Sequence, residues 1–86
     1  MMAYILMKVP GKDVEEVMQQ LRSFSEIEEA STVYGESDIV LKVRVPSQQK
    51  LDTLVMQRLH GIPAVESTRT FIAVGNLHWS RHGEKR

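Results

Sequence analysis

Apolar and polar residues along this chain fall into six short segments separated by turn signals. The first, Ala3-Tyr4-Ile5-Leu6-Met7-Lys8-Val9, is strongly apolar and is closed by Pro10-Gly11, which predicts a strand. Val14, Val17, Met18 and Leu21 then recur at i, i+3, i+4 and i+7, the stripe of an amphipathic helix. Asp13 and Glu16 have the spacing of a capping box ahead of that stripe, and Glu15 adds negative charge at the positive end of the helix dipole. Residues 23–26 read as the exit loop, 27–34 as a second strand and 37–45 as a third. Pro46 ends the third strand, and Ser47 is placed to cap a second helix whose stripe is Leu51, Leu54, Val55 and Leu59. Gly61-Ile62-Pro63 stops that helix. Residues 64–74 follow as a fourth strand, with β-branched side chains at Val65, Thr68, Thr70, Ile72 and Val74. Beyond Gly75 the pattern fades, so residues 1–75 are expected to form one domain and 76–86 a tail.

The order β-α-β-β-α-β predicts an α+β, ferredoxin-like fold, an antiparallel four-stranded sheet with two helices on one face. A faint internal repeat agrees. Met7-Lys8-Val9-Pro10 echoes Val43-Arg44-Val45-Pro46, and Met18-Gln19-Gln20-Leu21 echoes Met56-Gln57-Arg58-Leu59. Two helices cover only one face of such a sheet, yet Tyr4, Leu6 and Val40 add apolar side chains to the opposite face. A one-sided sheet alternates more strictly. The second face is therefore expected to meet another sheet, most simply that of a second copy about a two-fold axis.

Composition narrows the partners. With 86 residues the chain is one domain, and a domain this small buries only about 60–65 % of its unfolded surface. Eleven basic and eleven acidic side chains cancel, whereas a dedicated nucleic-acid binder carries a basic excess. No direct nucleic-acid partner is expected. The absence of cysteine removes a disulfide framework and a thiolate metal site or nucleophile. The apolar run at 3–7 is too short for a membrane span, so a cytoplasmic protein without a membrane partner is expected.

The most telling polar cluster is the turn Gly35-Glu36-Ser37-Asp38 between the second and third strands. Gly35 lets a ligand approach the backbone, exposed N–H groups suit a carboxylate, and Asp38 suits an ammonium. The run from Val33 through this turn to Ile39-Val40-Leu41-Lys42-Val43-Arg44-Val45-Pro46 resembles the effector-binding module, the RAM domain, of the Lrp/AsnC transcription regulators. So does Leu59-His60-Gly61-Ile62-Pro63-Ala64-Val65-Glu66-Ser67-Thr68-Arg69-Thr70. The likeness covers about residues 3–74.

That resemblance implies a ferredoxin-like fold dimerising through its sheets into a dimeric α+β barrel, with dimers joining into higher oligomers. It implies an amino acid or related small effector bound where dimers meet, near Gly35, Glu36, Ser37 and Asp38, with Thr68 and Thr70 as further contacts. Full-length relatives carry an N-terminal helix-turn-helix domain, and this chain is expected to act without one. The chain is thus expected to act in transcription regulation by ligand sensing or by association with full-length Lrp/AsnC regulators, not by direct DNA binding.

Each of these residues has an ordinary structural reading as well. Asp is common in turns, and Thr68 and Thr70 share a strand face as normal β-branched filling. Arg69 is expected on the opposite face, in a surface or interface contact. His78 and His82 have i, i+4 spacing, but no third histidine lies nearby in sequence to complete a site, so no metal is expected; nor is any cofactor. Trp79 in the tail is a candidate to dock on a neighbouring subunit, and Arg81, Lys85 and Arg86 beside it give only weak support to a nucleic-acid contact. Two alternatives stay open: a small dimeric ferredoxin-like enzyme of oxygenase type, for which Tyr4, Tyr34 and His60 are the candidate groups, and a structural partner that binds no ligand. A non-enzymatic binding module is the favoured expectation.

Overall fold

A computed structural model of the chain describes residues 1–33 and 38–81. Strands β1 (Met2–Lys8), β2 (Ile27–Val33), β3 (Asp38–Arg44) and β4 (Ser67–Ile72) form one sheet in the order β2-β3-β1-β4, and every neighbouring pair is antiparallel. The helices are α1 (Val14–Leu21), entered through a 3-10 turn at Gly11–Asp13, and α2 (Gln48–Thr53), which continues into a π-helical segment at Leu54–Leu59. This is the ferredoxin-like arrangement that the segment order predicts.

Alternation along the central strands decides which face is the core. Ala3, Ile5 and Met7 of β1 and Ile39, Leu41 and Val43 of β3 are buried, and the residues between them are half-buried or exposed. The buried set meets Val17 and Leu21 of α1 and Leu51, Leu54, Val55 and Leu59 of the second helix. Both predicted helical stripes therefore face the sheet. Val14 and Met18 pack partly buried at the margin of this core, whereas Met56, the counterpart of Met18 in the internal repeat, is 69 % exposed. The repeat is thus one of sequence only at that position.

The helix starts differ. Ser47 has extended backbone, and its hydroxyl accepts a hydrogen bond from Lys50 N–H at 3.2 Å, so α2 is capped as its sequence predicts. Asp13 occupies the N-cap position of α1, but its side chain accepts no capping bond. The preceding 3-10 turn, closed by Asp13 N–H to Pro10 C=O at 2.9 Å, leaves Asp13 with φ −104° and ψ −3°. That backbone is near-helical rather than the extended conformation a capping residue adopts, and no capping bond forms.

The fourth strand is shorter than the predicted 64–74. Val65 N–H bonds Ile62 C=O in a turn, and Ala64 and Val65 pack partly buried against the core before pairing begins at Ser67. At the far end, Ala73 N–H reaches Met2 C=O, and the backbone then turns through Gly75–Leu77.

Arg58 ties the second helix to the loop between α1 and β2. Its guanidinium stacks 4.5 Å above the Phe24 ring and donates to Glu26 Oε2 at 2.7 Å.

Candidate functional site

Strand register assigns each described candidate to a face. Asp38 opens β3 opposite Lys8 of β1, and Lys8 stands opposite Ser67 of β4. Cross-strand partners share a face. Asp38 therefore lies on the face away from the helices. Thr68 and Thr70 stand opposite Met7 and Ile5, both fully buried, so the threonines lie on the helix-side face. Their common face agrees with the sequence reading, as does Arg69 on the opposite one.

Asp38 and Thr68 occupy adjacent rows at the same end of the sheet, but they are two strands apart, about 10 Å by strand spacing, and point to opposite faces. One subunit does not bring them together. Gly35, Glu36 and Ser37, the remaining residues of the expected turn, lie outside the described residues.

The face carrying Asp38 has four apolar side chains at its middle, with Arg69 opposite Leu6 and Lys42 opposite Tyr4 beside them. Leu6 stands opposite Val40, and Tyr4 opposite Phe71; Leu6, Tyr4 and Val40 are half-buried, and Phe71 is 54 % exposed. At the other end of this face the side chains are charged. Arg44 donates from Nε to Glu28 Oε2 at 2.7 Å, with Lys42 Nζ at 3.9 Å from Glu28 Oε1. A β-bulge between Ile27 and Glu29 in β2 accompanies this pairing. Val74, Leu77 and Trp79 follow β4 as exposed apolar residues, and Arg81 stacks 5.0 Å from the Trp79 ring.

On the helix side, Thr68 already has a partner. Oγ1 of Thr68 lies 2.9 Å from Nε2 of His60, which closes the second helix. The π-helical turn sets this placement: His60 N–H bonds Val55 C=O, five residues back, at 3.1 Å. Sequence reasoning considered His60 only as a catalytic group and missed this pairing. Its one sequence signal was position, immediately before the Gly61 that ends the helix.

Grooves open on the described surface in several places. One, about 480 Å³, is bordered by Met2, Lys42, Arg44 and His78 at the charged end of the open face. Another of about 390 Å³ lies between α1 and β2, and one of about 220 Å³ between α1 and the Ile62-Pro63-Ala64 turn. Asp38, Thr68 and Thr70 border none of these grooves.

The groups considered for catalysis do not converge. Tyr4 lies on the open face and His60 against Thr68 on the other, while Tyr34 is outside the described residues. His78 has extended backbone, not the helical geometry that its i, i+4 spacing to His82 would need; His82 is outside the described residues. Among the described residues no three His, Cys, Asp or Glu side chains gather as a metal site, and no helix is long and apolar enough to cross a membrane.

Comparison with known proteins adds the family context. The model of the Lrp/AsnC ligand binding domain matches residues 2–80. The transcriptional regulator FL11 of Pyrococcus horikoshii is 34 % identical over 74 residues, which are 86 % of this chain and 48 % of that protein. The regulatory protein AsnC of Haemophilus influenzae is 34 % identical over 66 residues, 77 % of this chain and 44 % of that protein. The chain thus spans about half the length of the curated relatives it matches. Among solved structures, FFRP-DM1 superposes with a TM-score of 0.80 at 34 % identity, covering 85 % of this chain and 97 % of that one. AsnC of E. coli superposes with a TM-score of 0.84 at 25 % identity, covering 92 % of this chain and 54 % of that one.

Proposed function

This chain belongs to the Lrp/AsnC ligand-binding domain family, and on that premise we propose that it is an oligomeric sensor of an amino acid or a closely related small effector. Its relatives are transcription regulators, so its output is regulatory rather than catalytic. It acts through its assembly, alone or joined to full-length Lrp/AsnC regulators.

One observation carries this reading. Asp38 and Thr68, two of the residues expected to hold the effector, sit near one end of the sheet but on opposite faces, and Asp38 shares its face with the apolar side chains of Tyr4, Leu6, Val40 and Phe71. A second copy packed on these side chains removes apolar surface from water and forms a two-fold dimer. The effector site is then completed where such dimers meet. The turn at Gly35, Glu36, Ser37 and Asp38 comes from one subunit, and Thr68 and Thr70 come from another. Asp38 takes the ammonium, and backbone N–H groups and threonine hydroxyls take the carboxylate.

A site shared in this way makes sensing mechanical. An effector that binds only the completed site favours the assembly containing it, by as much as its affinity differs between the two states. In this reading residues 1–75 form the sensing unit, and the tail 76–86 offers Leu77 and Trp79 to a neighbouring subunit.

Light scattering coupled to size exclusion, run with and without each of the twenty amino acids, tests this reading. A dimer or larger species whose distribution changes with one or a few amino acids is expected. A monomer under all conditions would remove the shared site.

A further inference from the structure

We propose that His60 is a positioning residue of the effector site, acting through Thr68 to aim that hydroxyl at the carboxylate of a bound amino acid. This deepens the sensor reading and rests on it.

The geometry supplies the reason. Nε2 of His60 and Oγ1 of Thr68 are 2.9 Å apart, and both residues are accessible at the edge of the helix-side face, beside Thr70. A hydroxyl has one proton to give and two lone pairs to fill. When Nε2–H donates into Oγ1, a lone pair is used and the hydroxyl proton turns outward to an acceptor. When the ring takes the other tautomer, the hydroxyl donates to Nε2 and offers nothing to a carboxylate. An anionic ligand therefore selects the arrangement in which His60 donates. The threonine hydroxyl becomes a better donor, because chained hydrogen bonds polarise one another.

Local structure explains why a histidine stands here. The π-helical segment bonds His60 N–H back to Val55 C=O. The chain then leaves through Gly61, where a β-carbon would lie 2.9 Å from the Gln57 carbonyl oxygen. His60 is thereby fixed at the helix end facing β4, although it contributes nothing to the core. An exposed imidazole bonded to an exposed hydroxyl adds little to folding, which leaves orientation of Thr68 as its effect.

The test uses the full chain, with calorimetric titration of whichever of the twenty amino acids raises its melting temperature and of that amino acid's amide. His60→Ala is expected to weaken the amino acid about tenfold or more, the scale of a hydrogen bond to a charged group, and to weaken the amide little. His60→Gln, whose side-chain amide N–H can donate to the same oxygen, restores most of the affinity. In a Thr68→Val background His60→Ala has no further effect, as expected of two residues acting as one unit. Unchanged affinity in His60→Ala, or equal losses in His60→Gln and His60→Ala, would overturn the role of His60 and leave the sensor intact. If the native chain responds to no amino acid, the sensor reading fails first and this inference falls with it.

Discussion

Asp38 stands opposite Lys8 across the β3–β1 ladder, on the face of the sheet that the helices leave uncovered. Thr70 stands opposite the buried Ile5 on the other face. Under the proposed function, this division makes a complete effector site the property of an assembly, and it separates substitutions expected to act on folding from those expected to act on assembly.

Leu6→Glu is expected to act on assembly. Leu6 faces Val40 in the middle of the open face, outside the helix-covered core. A carboxylate there is solvated in the single subunit and buried without a partner in a sheet-to-sheet dimer, where it costs several kcal/mol, roughly. Sedimentation should show a folded protein of lower mass than the native chain. An unchanged mass would place the subunit contact elsewhere.

Leu41→Ala is expected to act on folding. Leu41 is fully buried between Ile5 and Ala30 in the sheet, and its truncation should cost about 2–5 kcal/mol. For so small a domain that is a large share of total stability. Met56→Ala, at a position 69 % exposed, should change stability by no more than about 0.5 kcal/mol. Chemical denaturation of both variants checks the contrast.

Gly61→Ala tests the exit from the second helix. The added methyl would meet the Gln57 carbonyl oxygen at 2.9 Å and the Arg58 carbonyl oxygen at 3.3 Å, both backbone atoms. Relief requires the helix end to shift, so a loss of about 1–3 kcal/mol is expected. Because His60 is the preceding residue, this variant should also loosen the His60–Thr68 bond, seen as a changed His60 ring resonance by NMR.

Ser47→Ala removes the one side-chain cap found on α2. The Lys50 N–H then loses its acceptor, at an expected cost of about 1 kcal/mol. Asp13→Ala should cost less, because no capping bond forms at that helix start.

Much of this fold was legible because periodicity reports burial directly. Alternation in β1 and β3 and the two helical stripes located most of the core, though Ile62 is buried outside both patterns and Val14 and Met18 of the first stripe are only partly buried. What escaped the sequence depended on contacts between segments. Asp13 and Glu16 had capping spacing, but the 3-10 turn from Pro10 fixed the backbone first. Ala64 and Val65 are β-branched or small and read as strand, yet the core and the turn from Ile62 claimed them. The π-helical turn at 54–59 has no periodic signature distinct from an α-helix over so few residues. At the candidate site, alternation put Thr68 and Thr70 on one face, but only register revealed that Asp38 is on the other. The His60–Thr68 pair spans a helix end and an edge strand, a juxtaposition that no local pattern encodes.

The central claim is that the chain senses an amino acid through a site to which Asp38 contributes. A thermal-shift panel of the twenty amino acids, with Asp38→Ala alongside the native chain, tests it most directly. An effector at about 100 times its dissociation constant adds about 2.7 kcal/mol per site if only the native state binds. For a domain of this size that raises the melting temperature by about 10–20 °C. One or a few amino acids should produce such a rise in the native chain. Asp38→Ala should melt within about 5 °C of the native chain when no amino acid is present and should lose the response. A flat panel for the native protein, or an equal response in the variant, would contradict the account.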